Sequence, residues 1–190
     1  MTTRAAEDRF FAKLKRDVAM WEIAWQKKAS AAMVVRLLLF EGGFQFVTLL
    51  RIVEASDRVP LIGAFLSLVL QYWTNRFFAC DMARRVMIGG GLFVPHPTGI
   101  VVGADVVIGR NVSLLHQVTI GRIRPDTHTA PRIGDGAYLS PGVKIMGDIT
   151  IGDGAMIGAN SVVLNSIPPH TVAVGAPARI VKKQDLLSVI

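Results

Sequence analysis

The chain has 190 residues, enough for one sizeable domain with a small appendage. Its 51% apolar content excludes general disorder, and with only 7% aromatics the apolar weight lies in Val, Ile, Leu and Ala, a composition suited to thin, stacked aliphatic layers. The net charge of +7 is shared, 11 Lys/Arg against 7 Asp/Glu over residues 1–80 and 10 against 7 over residues 81–190, so there is no basic block and no arginine–aromatic platform for nucleic acid. Such an excess suits a polyanionic ligand, for instance a nucleotide-like cofactor, or an anionic membrane surface, without choosing between them. The single cysteine, Cys80, excludes an internal disulfide, and the N-terminus is charged throughout, unlike a signal peptide. Both features point to the cytoplasm.

Residues 1–80 read as three helical segments. Asp8 to Trp25 places Phe10, Phe11, Leu14, Val18, Trp21, Ile23, Ala24 and Trp25 at roughly helical spacing with charges between them. A second segment runs from about Ala31 to Val53, with Gly42 and Gly43 as a break. A third follows Pro60, which suits a first-turn position, and extends to about Phe78. Within it, Leu61 to Trp73 carries no charge but is too short to span a bilayer; it suits a buried or interfacial helix and leaves peripheral membrane contact open.

From residue 81 the pattern changes to a repeat of six, which marks residues 81–182 as a second unit followed by a tail, 183–190. One aliphatic series reads Val102, Ile108, Leu114, Ile120; another reads Ile133, Leu139, Ile145, Ile151, Ile157, Val163. Four residues after each member of the second series comes Ala137, Val143, Ile149, Ala155, Ser161 and Ile167, mostly small or branched. Six residues make one short strand and a tight turn, one side of a triangular coil. Three such units complete a coil of about 18 residues that stacks on the next at the inter-strand spacing of about 4.8 Å. Ordinary strands alternate with period two instead. Each coil hides its edges only against its neighbours, as in any solenoid. The two series are out of phase: the step from Ile120 to Ile133 exceeds two units by one, so Gly121 to Pro131 is expected to leave one corner as a loop. Interruptions of a rigid scaffold are where function tends to sit.

A second break in the period falls at Pro95–Pro97; His96 lies between these prolines, whose rings fix the local backbone. An imidazole there is suited to removing a proton from a hydroxyl; it is equally a turn histidine on a solvated corner. Asp81 precedes it by a little under one coil, and a carboxylate at that spacing either orients the imidazole or serves as a turn residue at the junction of the two units. His116 lies on a repeat strand where it can line a cleft. His170 reads as a solvated or interface residue, and Cys80 as core packing.

The six-residue pattern resembles the left-handed parallel β-helix, whose handedness departs from the usual right-handed crossover rule. More narrowly, residues from Asp81 to about Lys182 resemble the serine O-acetyltransferase group of hexapeptide-repeat acyltransferases. The resemblance is carried by His96-Pro-Thr-Gly-Ile-Val-Val-Gly103, Asn111-Val-Ser-Leu-Leu-His-Gln-Val-Thr-Ile-Gly121, Gly158-Ala-Asn-Ser-Val-Val-Leu164 and Pro168-Pro-His-Thr-Val-Ala-Val-Gly-Ala-Pro-Ala-Arg-Ile-Val181. The preceding helices are similar to that group's N-terminal helical domain, here shortened. The resemblance implies a mainly β fold with a short helical N-terminal region, His96 as general base, Asp81 as its partner, and acetyl-CoA as co-substrate. It implies assembly as a homotrimer or a dimer of trimers, with coenzyme A in a groove between adjacent prisms. Gly121, Ala159, Gly175, Ala176, Arg179 and Lys182 lie where that groove would run. No metal is expected.

Several positions depart from the family's pattern. Pro95 stands where serine acetyltransferases carry an acidic residue, and Thr129 and Ala130 stand where they carry an Arg-His pair. His128, two positions away, is a substitute for that pair, and Arg122 to Asp126 replaces a Gly-rich loop. Pro95, His116, Arg122 and His128 are therefore the candidate acceptor-site residues. The acyl-transfer machinery matches better than the serine site does, and enzymes acetylating sugar hydroxyls in surface-polysaccharide synthesis share the pattern. Transfer is expected to be direct: His96 activates the acceptor hydroxyl, and a backbone N–H stabilises the oxyanion. A zinc site of the γ-carbonic-anhydrase kind is disfavoured, because His96, His116 and His128 are widely separated along the chain, with no close pair. A membrane-associated scaffold without activity would leave the Asp81 and His96 match unexplained.

Overall fold

The structure, a computed structural model, describes residues 9–84, 86–124, 126 and 129–183. Among the described residues four helices precede the strands rather than three: α1 (Phe10–Trp25), α2 (Ala31–Phe40), α3 (Gly42–Ser56) and α4 (Gly63–Phe78). The Gly42–Gly43 break is a full corner, since α2 and α3 meet at 89°. Ser30 caps α2, its hydroxyl accepting from the Met33 N–H at 3.2 Å. Pro60 lies in the turn before α4, which begins three residues later, so it does not occupy the helix's first turn. Among the described residues no single helix is long and apolar enough to cross a membrane.

Among the described residues fourteen short strands, numbered in chain order, form three sheets that are the faces of a triangular prism. The first stacks β1 (Asp81–Met82), β3 (Val101–Val102), β6 (Thr119–Gly121), β9 (Lys144–Met146) and β12 (Val162–Val163). The second stacks β2 (Met87–Ile88), β4 (Val107–Ile108), β7 (Arg132–Ile133) and β10 (Thr150–Ile151). The third stacks β5 (Ser113–Leu114), β8 (Tyr138–Leu139), β11 (Met156–Ile157), β13 (Thr171–Gly175) and β14 (Ala178–Lys183). All pairings are parallel except β13 with β14, an antiparallel hairpin that closes the C-terminal end. The repeat aliphatics pair with one another: Val102 with Ile120, Ile108 with Ile133, and Leu139 with Ile157. They fill the prism; Ile120, Leu139, Ile145 and Ile157 have no exposed surface.

Register locates both interruptions. Ile133 pairs with Ile151 and Ile145 with Val163, each three units on, one regular coil. Ile120 instead pairs with Ile145, which makes that coil seven longer than a regular one. The step from Ile120 to Ile133 is therefore one unit plus seven, not two units plus one. Gly121 belongs to β6, paired with Met146, and the buried Pro131 accepts from Val107 N–H at 3.2 Å, so the loop is confined to residues 122–130. The second interruption is smaller. Met82 pairs with Val102, in a coil two longer than a regular one, and the extra pair of residues falls in the Pro95–Gly99 corner.

The helices close the N-terminal end of the prism. Arg51 and Asp17 are buried and joined by two hydrogen bonds of 3.0 Å. Arg51 also donates to the carbonyls of Ile88 (3.1 Å) and Gly89 (2.6 Å), while Asp17 accepts from the N–H groups of Gly91 and Leu92, each at 2.8 Å. Lys13 joins Glu54 (2.7 Å) to the Ile88 carbonyl (2.9 Å). The first sheet is closed by Asn75 of α4, which donates to Met82 O at 3.1 Å and accepts from Met82 N–H at 3.3 Å. α3 comes so near the first coil that a Cβ on Gly43 would lie 1.8 Å from the Val94 carbonyl oxygen, so no side chain fits there. Backbone groups with no coil before them thus find helical partners.

The burial of α1 and α4 departs from their apolar spacing. α1 buries Lys13, Asp17 and Trp21, and leaves Phe11 and Ile23 exposed. α4 is turned inside out: it buries Gly63, Ser67, Gln71 and Thr74, and exposes Phe65, Leu66, Leu68, Tyr72, Trp73 and Phe77.

Candidate active site

Two of the three prism corners flank the first sheet, and each carries one interruption. At the corner entering this sheet, successive coils hold Gly99, Gln117, Gly142 and Asn160 at φ of 66°, 59°, 74° and 55°, a stack of left-handed residues that makes the same turn four times. Backbone bonds tie the turns together: Gln117 N–H to Thr98 O (2.9 Å), Gly142 N–H to His116 O (3.0 Å), and Asn160 N–H to Pro141 O (2.9 Å). Here, in the coil lengthened by two residues, His96 projects as an exposed side chain. His116 hangs from the next turn, half-buried. The two imidazoles meet edge to face with ring centroids 6.0 Å apart and planes at 74°.

Asp81 opens the first sheet from the same side. Its N–H donates to Ile100 O at 2.7 Å, and Gly99 N–H donates to Ala79 O at 2.9 Å, so residues 79–81 run directly against the segment that follows His96. In β1 the Met82 side chain enters the core and Asp81 faces outward, at the head of a line continued by Val101, Thr119, Lys144 and Val162. Among the described residues no hydrogen bond joins the Asp81 carboxylate to the His96 ring. Cys80, between them in the wall, is buried and directs Sγ to the Pro97 carbonyl at 3.2 Å. Burial pushes its thiol pKa up from the ordinary value. Pro95 is half-buried at the start of the corner.

Ala159 lies on this same corner, exposed, two coils beyond His116 and one residue before Asn160. The tip of the C-terminal hairpin reaches it too, since Gly175 N–H donates to Ser161 Oγ at 3.1 Å. Gly175, Ala176 and Arg179 are exposed around that tip. His96, His116, Ala159, Gly175 and Ala176 therefore fall along one edge, the imidazoles at one end and the small residues at the other. Gly121 and Arg122 do not join them; they leave the opposite edge of the first sheet. Arg122 is held back on the prism by Asp105 at 2.5 Å, with its Nε buried and without a hydrogen-bond partner among the described residues. His128 and the side chain of Lys182 lie outside the described residues.

The sequence reading missed Lys144. Its ammonium donates to Gln117 O at 2.6 Å and braces the turn that carries His116. A signal was available: the residue before each repeat aliphatic faces outward, and Lys144 is the one basic residue at such a position on the first sheet among the described residues.

A family model described as bacterial transferase hexapeptide (six repeats) matches residues 130–165. The serine acetyltransferase of Escherichia coli strain K12 is 46% identical over 123 residues, which cover 63% of this chain and 44% of that protein. The chain thus spans less than half the length of the curated relative it matches. A structure of soybean serine acetyltransferase complexed with serine superposes with a TM-score of 0.79 at 36% identity, covering 93% of this chain and 71% of that one. A structure of serine acetyltransferase in complex with coenzyme A, from Brucella abortus strain S19, superposes with a TM-score of 0.82 at 28% identity, covering 95% and 71%. The shared architecture is a left-handed β-helix preceded by helices.

Proposed function

Since the chain belongs to the serine O-acetyltransferase-like members of the hexapeptide-repeat acyltransferase family, we propose that it is a cytoplasmic enzyme moving the acetyl group of acetyl-CoA to an acceptor hydroxyl. The observation that carries this reading is the exposed imidazole of His96, raised from a corner by two extra residues, beside the strand that begins with Asp81. Transfer is direct. His96 takes the proton of the acceptor hydroxyl as its oxygen attacks the acetyl carbon. When the carbon–sulfur bond breaks, the same imidazole returns the proton to the sulfur. Asp81 acts as a positioning residue for the ring. The co-substrate is assigned to the edge running from His96 past Ala159 to the Gly175–Ala176 tip, where small side chains leave the backbone accessible.

His96→Ala should lower kcat by about 10²–10⁴-fold while the far-UV circular dichroism spectrum and CoA binding stay as in the parent chain. Unchanged turnover in that variant would end the proposal. Serine is the first acceptor to test, given the relative crystallised with it. A sugar or nucleotide-sugar hydroxyl is the second reading, favoured by Pro95 where an acidic contact to serine's amino group would be needed. CoA release measured with serine, homoserine and nucleotide sugars separates the two.

We also infer assembly with further copies of the chain, as a homotrimer or a dimer of trimers. The support is α4, whose outward face is apolar up to Arg76 in its last turn. Sedimentation velocity tests it: a monomer that pelleted with anionic vesicles would instead assign this face to a membrane surface.

A further inference from the structure

The expectation of a backbone N–H for the negative charge on the acetyl oxygen names no residue, and the half-buried second imidazole offers a side-chain donor in its place. His116 is held more firmly than a chance neighbour would be. Its carbonyl accepts from Gly142 N–H, and the following Gln117 adopts a left-handed φ of 59° without being glycine, with its carbonyl braced by Lys144. The ring's two nitrogens have unlike surroundings. Nδ1 has no exposed surface and no hydrogen-bond partner among the described residues. A buried N–H without an acceptor is rarer in folded proteins than a bare acceptor, so the proton of the neutral ring belongs on Nε2. Nδ1 being closed off, Nε2 is the nitrogen left to meet a reactant; the ring is half-buried and stands edge to face with His96 at 6.0 Å. One turn of the corner thus presents the base, and the next presents an N–H donor of fixed tautomer.

We propose that His116, through Nε2–H, is the oxyanion donor of the acetyl transfer. The proposal rests on the acyl-transfer reading above and extends it. As the acceptor oxygen bonds to the acetyl carbon, its proton passes to His96 and the carbonyl electron pair moves onto the oxygen. His116 donates to that oxygen and keeps its own proton. When the carbonyl re-forms, the carbon–sulfur bond breaks and the sulfur takes the proton from His96. The donor is preorganised by the backbone on both sides of it, so little reorganisation is needed as charge develops.

The test measures CoA release by the full chain from acetyl-CoA, with serine as acceptor and with water alone, in His116→Gln, His116→Glu, His116→Ala and His96→Ala. Gln keeps an N–H donor in nearly the shape of Glu, which has none when ionised. His116→Gln is expected within about tenfold of the parent kcat, and His116→Glu and His116→Ala about 10²–10³-fold below it, with KM for acetyl-CoA nearly unchanged. Equal kcat in the Gln and Glu variants, or a loss expressed wholly in KM, overturns the proposal, and that pair decides even if the alanine variant fails to fold. If serine does not stimulate turnover, the same comparison is read on hydrolysis. An inactive His96→Ala beside a fully active His116→Ala removes this proposal alone, whereas a fully active His96→Ala removes the acyl-transfer reading itself.

Discussion

The coils and the helices solve one problem, an unpaired backbone, by opposite means. Within the prism each coil is satisfied by a neighbour of the same shape, and the interior needs only aliphatic side chains repeated every six residues. At the N-terminal end no neighbour exists, and the same groups are met by individual side chains: Arg51, Asp17, Lys13 and Asn75. Redundancy holds the first region together, and particular polar contacts hold the second. The lesson is that two regions of one chain differ sharply in how much a single substitution can undo.

The largest effect should come from Asp17→Ala, which leaves the buried Arg51 with only the more distant Glu54, at 3.7 Å, as counter-charge and the Gly91 and Leu92 N–H groups unpaired. A loss of about 3–5 kcal/mol is expected in urea denaturation. In the coils, Ile145→Val removes one buried methylene and should cost about 1 kcal/mol by the same measurement, because the stacked neighbours keep their own contacts. If the two losses came out alike, the contrast between the regions would fail. Ser30→Ala removes the cap of α2 and should cost about 0.5–1 kcal/mol, visible as a small fall in Tm. Arg58→Ala breaks an exposed pair with Glu54 and should change stability by less than about 0.5 kcal/mol. The smallest effect belongs to Cys80. Its thiol pKa is raised in the folded chain, so the stability it confers is present below the unfolded thiol's pKa and is lost as pH rises through the folded value. Slow labelling by a thiol reagent at neutral pH, accelerating only on unfolding, would sharpen this point.

The same contrast explains what was legible in the sequence. The prism, its phases and its two interruptions are written in residue spacing, because every coil repeats one physical requirement. Even there, the arithmetic across Ile120 and Ile133 was ambiguous until the pairing of Ile120 with Ile145 showed that seven residues are extra. The candidate site was partly legible: spacing suggested that Asp81 and His96 are neighbours, whereas the corner shared by His96, His116 and Ala159 emerges only once the two and the seven extra residues are placed at their corners. That Gly121 and Arg122 leave the far edge follows only from knowing which face each unit occupies. The helices were least legible. Apolar spacing marks Phe11, Trp21 and Ile23 as core candidates for α1, but only Trp21 among them is buried, and it shares the buried face with Lys13 and Asp17, whose partners lie up to 75 residues away. Nor does any local pattern announce that α4 buries Ser67, Gln71 and Thr74 in place of its aromatics. Periodicity locates an apolar stripe but not the direction it faces.

Asn75 and the Arg51–Asp17 pair also set a boundary on growth. A stack of short parallel strands carries no internal signal to stop, and a bare terminal coil would offer any second molecule a ready ladder of donors and acceptors. By filling that ladder from their own side chains, the helices make the chain a particle of definite length rather than the first unit of a fibre.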